Sequence, residues 1–116
     1  MNSKDDLIFI EHILDSIRAI ESFGKSISKN ELEINRMKQS AVVREIEVIG
    51  EAVKNISHAL KNKHKQIPWK DIIGTKDKMI HHYFGIDFDI VLSIVNENLP
   101  VLKSQLEKIK RELTNF

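Results

Sequence analysis

The feature that most constrains this chain is an apolar stripe that runs for more than thirty residues without a proline. It opens after Ser28, which stands three residues before Glu31 in the spacing of a capping box. Apolar residues then recur at three- and four-residue steps as far as Leu60. We expect a helical spine on which the other helices pack, with a bend or break between Glu33 and Arg36.

The composition favours helices over strands. Among 116 residues there are only 4 Gly and 2 Pro, aromatic residues make up 6%, and Leu, Ile, Lys and Glu dominate. Helical spacing predicts a first helix from about Asp5 to Phe23. With 41% apolar and 30% charged residues, the chain fits one compact domain over residues 1–116. The expected fold is all-α, a four- to five-helix up-and-down bundle.

Two more helical segments follow the spine. Pro68 suits the first turn of a third helix, which Gly74 interrupts and Gly85 ends. Asp87 is a suitable N-cap for the last segment, which Pro100 breaks or kinks before helical periodicity resumes.

Several classes of protein are disfavoured by what the chain lacks. The absence of cysteine excludes a disulfide framework, a thiolate metal site and a thiol nucleophile. No apolar run approaches the roughly 20 residues of a membrane span, and the N-terminus has no extended apolar region, so we expect a cytoplasmic protein without a membrane partner. The net charge of +1 gives no global sign of nucleic-acid binding.

One local basic cluster stands out against this balance. The stretch "KNKHKQIPWK", residues 61–70, holds four lysines and no acid. Two interpretations stay open: a solvated helix end whose lysines complement the helix dipole, or a contact region for RNA.

The stretch "GTKDKMIHHYFGID", residues 74–87, carries polar side chains that a plain core helix does not need. On one ideal helix, Lys76 falls in the middle of an apolar stripe, and Asp77 and His81 share an edge where they can hydrogen-bond. Alone, each residue fits an ordinary helix: a snorkelling lysine, an edge histidine, and Tyr83 as a core aromatic with a wet hydroxyl. Together they are costly in a core, which favours a shared polar cleft.

This set of groups suits cleavage of RNA without a metal. A histidine such as His81 can exchange a proton near neutral pH, and Asp77 can orient it. Lys76 and the Tyr83 phenol can stabilise charge on a phosphate. We expect no cofactor and no metal site, because His81 and His82 diverge on a helix and no acidic cluster has ligand spacing.

Two residues of the spine are further candidates. Arg44 and Glu51 are seven residues apart and so share one helix face, where they can border the same cleft. An ordinary surface ion-pair network is the alternative interpretation.

Two segments of the chain resemble a known family. "IGEAVKNIS" (49–57) and "IPWKDIIGTKDKMIHHYFGIDFDIVLSIVNENLPVLK" (67–103) are similar to the HepT-like branch of the HEPN superfamily, prokaryotic helical proteins that are commonly toxin ribonucleases. The resemblance covers nearly the whole chain. It implies a helical bundle of the HEPN type, usually a homodimer in which two copies of one motif face a common cleft.

The family motif reads Arg, four residues, His, one residue, Tyr, and the matching string here is "KDKMIHHY". The resemblance implies that His81 is the general base or acid, Lys76 the phosphate-binding cation in place of Arg, and Asp77 the orienting group. It implies that Tyr83 lines the site and accepts AMP from a minimal nucleotidyltransferase antitoxin of the MntA type. Because lysine lacks the guanidinium fork, a catalytically weak or inactive module that binds this partner stays open as the alternative.

Overall fold

A computed structural model of the chain describes residues 3–23, 27–81 and 85–115. The elements in chain order are helices and one small hairpin: α1 Ser3–Glu21, α2 Lys29–Ile34, α3 Arg36–Lys54, α4 His58–Lys63, α5 Trp69–Ile73, α6 Thr75–Met79, β1 Ile80–His81, β2 Gly85–Ile86, α7 Phe88–Ser93, a π-helical turn Ile94–Asn98, and α8 Leu99–Thr114. The all-α prediction is confirmed. None of the described helices combines the length and the hydropathy needed to cross a membrane.

The long helices α1, α3 and α8 form the centre of the bundle, with α1 packed against both of the others. Each contributes aliphatic side chains that are almost fully buried: Ile10, Ile13, Leu14 and Ile17 from α1, Val42, Ile46 and Ile49 from α3, and Leu102, Leu106 and Ile109 from α8. Burial of each such side chain stabilises the fold by about 1.5–3 kcal/mol. The shorter elements α5, α6 and α7 lie over this frame and carry the site.

The predicted spine is broken where the sequence indicated. The Ser28 hydroxyl accepts a hydrogen bond from the Glu31 amide at 3.1 Å, which starts α2. Asn35 ends α2 and caps α3, its side chain accepting from the Lys38 amide at 3.0 Å. The stripe to Leu60 is not one helix, however, because the Ser57 side chain accepts from the Leu60 amide and starts α4 afresh.

The prediction of a third helix reaching Gly85 is wrong. Gly74 separates α5 from α6 as expected, but α6 ends at Met79. The chain then becomes extended, and Ile80 and His81 pair with residues 86 and 85 in an antiparallel hairpin. Gly85 has a φ of +76°, a backbone conformation that glycine adopts at little cost, so it serves the hairpin and not a helix end.

Both features predicted for the last segment are present. The Asp87 side chain accepts from the Ile90 amide at 3.1 Å and caps α7. Pro100 lies in the first turn of α8, directly after the π-helical turn Ile94–Asn98. Because proline has no amide hydrogen, it cannot bond back to Asn96, and the wider turn accommodates that missing bond.

Candidate functional site

Some of the residues predicted to share a cleft meet at a cavity of about 280 Å³ between α3 and the α5–α6 pair, but His81 is not among the residues that line it. Four of the predicted residues line it: Arg44 and Glu51 from α3, and Lys76 and Asp77 from α6. Gly50 lies where the helices come close, since a methyl group there would contact the Ile72 carbonyl oxygen at 3.4 Å. Their roles remain predictions, but their placement around one cavity is a property of the fold.

The charges that line this cavity are balanced. Three cations and three carboxylates face it: Arg44, Lys54, Lys76, Glu47, Glu51 and Asp77. The Lys76 ammonium lies 3.8 Å from the Glu47 carboxylate, and the Lys54 ammonium lies 3.0 Å from the Glu51 carboxylate. The exposed Arg44 guanidinium has no ion-pair partner within the part of the chain that the structure describes. An anion that enters the cavity therefore finds one guanidinium whose charge is not already paired.

Lys76 does not sit within an apolar stripe, as the ideal helix predicted. Its side chain is 64% exposed, and Ile80, expected on the apolar side, is itself exposed. The reason is the end of α6 at Met79, which buries that one side chain in the core and turns the following residues away from the helix path. The Lys76 side chain is therefore accessible to a ligand from solvent.

His81 lies on β1, and its side chain is half exposed at 48%. Its Nε2 atom is 3.3 Å from Oδ2 of Asp87, whose Oδ1 accepts the Ile90 amide. The hydrogen bond from Ile90 and then the bond and charge of the His81 ring lower the pKa of Asp87. The Asp87 carboxylate beside the imidazole is therefore ionised at neutral pH. Because the same carboxylate caps α7, its position beside the His81 ring is fixed.

The predicted hydrogen bond between Asp77 and His81 is wrong. That pairing requires both residues on one helix, four residues apart, and the chain leaves the helix at Met79 between them. Asp77 is exposed and lines the α3–α6 cavity instead. Tyr83 and His82 fall outside the described residues.

Two residues of the site were not predicted for it. Glu47 lies three residues after Arg44 and four before Glu51, a spacing that places all three on one face of α3 and was visible in the sequence. Asp87 was predicted only as a helix cap, and its contact with His81 depends on the hairpin. No group of three His, Asp or Glu side chains suited to a metal ion occurs among the described residues.

The described residues form an all-α bundle with two polar features open to solvent: the cavity of mixed charge between α3 and α6, and the His81–Asp87 pair at the base of the hairpin. The chain matches the family described as Ribonuclease HepT-like over residues 13–109. It belongs to the HepT-like ribonuclease family, and its all-α fold is of the HEPN type.

Several curated proteins are similar along most of this chain. A gamma-glutamylcyclotransferase and putative RNase of Methanocaldococcus jannaschii is 38% identical over 95% of this chain, which spans only 50% of that relative. A putative RNase of the same organism is 38% identical over 97% of this chain and 93% of its own length. A probable ribonuclease HepT of Thermococcus cleftensis is 38% identical over 89% of this chain and 94% of its own length. No solved structure matches significantly.

Proposed function

We propose that this chain is a metal-independent endoribonuclease. The observation that carries the proposal is the exposed His81 imidazole, held at 3.3 Å by the ionised Asp87 carboxylate. In the proposed reaction, the 2′-hydroxyl of RNA loses its proton to a base and attacks the adjacent phosphorus. The bond to the 5′-oxygen then breaks, giving a 2′,3′-cyclic phosphate and a 5′-hydroxyl. His81 acts as the base in the attack or as the acid that protonates the leaving oxygen.

The cations near the cleft would neutralise the phosphate. Lys76 supplies a point charge, which replaces the motif arginine without its planar fork. Arg44, exposed on the facing wall and without an ion-pair partner among the described residues, supplies a guanidinium that can bond two phosphate oxygens at once. Together the two side chains can stabilise the charge that builds up on phosphorus as the 2′-oxygen attacks.

The relatives support RNA as the substrate. The three relatives described above are named as RNases or as a ribonuclease, at 38% identity to this chain. We further propose that the protein acts as a homodimer, as the family resemblance implies. Light scattering coupled to gel filtration tests the dimer, and a monomer that cleaves RNA would overturn it.

We also propose that the protein is the toxin of a toxin–antitoxin pair, neutralised by a minimal nucleotidyltransferase of the MntA type that transfers AMP to Tyr83. Tyr83 is two residues beyond His81 in sequence. Anionic AMP groups there would repel the phosphate of an incoming RNA. Incubation with ATP and the transferase should raise the mass of the protein by AMP groups, because the Tyr83 oxygen bonds the α-phosphorus of ATP as pyrophosphate leaves, and Tyr83→Phe should prevent it. Addition of AMP to Tyr83→Phe would overturn this assignment.

The function is tested by cleavage of RNA with the unmodified protein beside His81→Ala and Lys76→Arg, all three checked by far-UV circular dichroism. Loss of a general acid or base lowers the rate by about 10²–10⁴-fold, which is the fall expected for His81→Ala. Lys76→Arg should keep or raise the rate, because it restores the fork of guanidinium. Cleavage that survives His81→Ala in the folded protein would overturn the role of His81.

One observation favours a second candidate function, a catalytically weak or inactive module that binds the nucleotidyltransferase. Lys76 lacks the guanidinium fork of the motif arginine, and its ammonium lies 3.8 Å from the Glu47 carboxylate, which partly neutralises its charge. In that case the parent does not cleave RNA, and Lys76→Arg combined with Glu47→Gln switches cleavage on. A parent that cleaves RNA excludes this candidate.

A further inference from the structure

The ends of α4 and α8 approach each other at one side of the molecule. His64, which ends α4, is buried, and its Nε2 atom lies 3.3 Å from the Glu112 carboxylate of α8. The indole N–H of the buried Trp69 donates to the His64 carbonyl oxygen at 3.0 Å and fixes the same turn. The residues beside His64 and Glu112 are therefore neighbours on this side of the molecule.

Four cations surround this contact, and we call them the basic surface: Lys63, Lys65, Lys108 and Arg111. Lys63 and Lys65 flank His64, Arg111 directly precedes Glu112, and Lys108 lies one helical turn before Glu112. All four are exposed. Of the nearby acids, Glu112 faces His64 and Glu107 is half-buried.

Among the residues that the structure describes, the cations of the basic surface are free of ion pairs. Within the described ranges, none of its four cations has a carboxylate partner. Several lysines elsewhere are paired with acids, as in Lys29 with Asp89, Lys38 with Glu31, Lys54 with Glu51, Lys103 with Glu21, and Lys110 with Glu11. In a chain of net charge +1, the α4–α8 end thus carries four exposed cations that no carboxylate among the described residues neutralises.

We propose that the basic surface binds the phosphate backbone of single-stranded RNA, as a second contact region outside the α3–α6 cleft. Exposed, flexible, unpaired lysines provide point charges that neutralise phosphates without reading bases. This inference rests on the proposed function, because it concerns the substrate of the same enzyme.

The path between the two regions supports a role for longer RNA. A second cavity, of about 430 Å³, has a mostly apolar lining, to which Gln66 and Gln105 and also Thr75 and Lys78 of α6 add polar groups. Gln66 directly follows Lys65 of the basic surface, and Thr75 and Lys78 belong to the helix that carries Lys76, so residues next to both regions in sequence line this cavity. A strand long enough to cross it would contact both regions, whereas a dinucleotide could contact only one.

The test uses Lys63→Gln combined with Lys65→Gln, made in a His81→Ala background so that RNA is bound without being cut. Fluorescence anisotropy follows a labelled single-stranded RNA between about 50 and 200 mM salt. Each phosphate contact contributes about 0.7 to the slope of log K against log salt for a single strand, so the slope should fall by about 1.4. The matched control, Lys29→Gln with Lys103→Gln, removes the same charge from two ion-paired lysines and should leave the slope unchanged.

The outcomes separate this inference from the proposed function. In the cleaving protein, the basic-surface variant should lose more kcat/KM on a long RNA than on a dinucleotide. Equal slopes for the basic-surface variant and its control would overturn the inference while cleavage by the parent still supported the enzyme. The inference would also be overturned if the basic-surface variant still bound RNA but no longer bound anionic phospholipid vesicles. A reduced slope in a protein that never cleaves RNA would uphold the basic surface and defeat the proposed enzyme.

Discussion

The Nε2 atom of His81 and the Oδ2 atom of Asp87 lie 3.3 Å apart across the base of the hairpin that follows α6. The same Asp87 carboxylate caps α7 through the Ile90 amide, and the Asp87 amide donates to the Met79 carbonyl oxygen at 2.7 Å. One residue therefore joins the end of α6, the start of α7 and the candidate catalytic imidazole. Changes at Asp87 should therefore affect both the fold and the site, and the choice of substitution can separate these two effects.

Asp87→Asn should lower RNA cleavage while keeping α7 capped. The amide oxygen of asparagine still accepts from the Ile90 amide, but it carries no charge to stabilise a protonated imidazole. We expect kcat/KM to fall, by less than for His81→Ala and by more than for Asp77→Asn, which removes a carboxylate that does not contact His81. A larger loss in Asp77→Asn than in Asp87→Asn would restore the orienting role to Asp77.

Stability should respond to acid through Asp87. Its pKa is lowered in the folded protein by the Ile90 amide and the His81 ring, so the unfolded chain takes up this proton first as the pH falls. The contribution is complete at neutral pH, begins to fall near the ordinary aspartate value of about 3.9, and is lost below the folded pKa. Urea unfolding of the parent and of Asp87→Asn should therefore converge in free energy below about pH 4.

The control for this pH series is Glu33→Gln, since Glu33 is exposed and has no partner among the residues the structure describes. Its difference from the parent should stay small across the same range. A constant difference between the parent and Asp87→Asn down to the lowest pH would contradict the coupling.

Met79→Ala should destabilise the fold by about 2–5 kcal/mol, the usual cost of truncating a buried side chain. Met79 is completely buried, and it anchors the point where α6 ends and β1 begins. Met37 gives a matched control of the same residue type, because it is 85% exposed, and Met37→Ala should change the stability by less than about 0.5 kcal/mol. Urea unfolding measures both, and equal effects would contradict the packing described for Met79.

Arg44→Gln should weaken RNA binding about tenfold, the factor that 1.4 kcal/mol supplies, because it removes the unpaired guanidinium of the cleft. Arg44→Lys should be intermediate, since an ammonium keeps the charge and loses the fork. Arg36, two turns earlier on α3 and also exposed, is the control, and Arg36→Gln should bind RNA nearly as tightly as the parent. Anisotropy in the His81→Ala background measures all three, and equal losses for Arg36→Gln and Arg44→Gln would contradict a role of the cleft.

Local chemistry in the sequence was enough for much of the fold. The Ser28 and Asp87 caps, the break before Arg36 and the interruption at Gly74 each depend on a few neighbouring residues, and all four are present. Because a cap or a helix break is decided within one or two turns of chain, its residues can be recognised without knowledge of the tertiary structure.

The placement of Arg44 and Glu51 beside Lys76 was also accessible from the pattern. Residues seven apart on α3 share a face, and this face turned out to line the same cavity as α6. Which of these charges pair, and in particular the contact of Glu47 with Lys76, depended on how closely α3 and α6 pack.

The sequence by itself determined an all-α chain, the helix caps at Ser28 and Asp87, and the residue types of the candidate site. The partner of His81 was decided only by the tertiary structure. Helical periodicity extends past Met79, yet the chain leaves the helix there because hairpin pairing with residues 85–86 and burial of Met79 are long-range gains that no local pattern contains. That single departure from helix gives His81 the Asp87 carboxylate as its partner in place of the predicted Asp77.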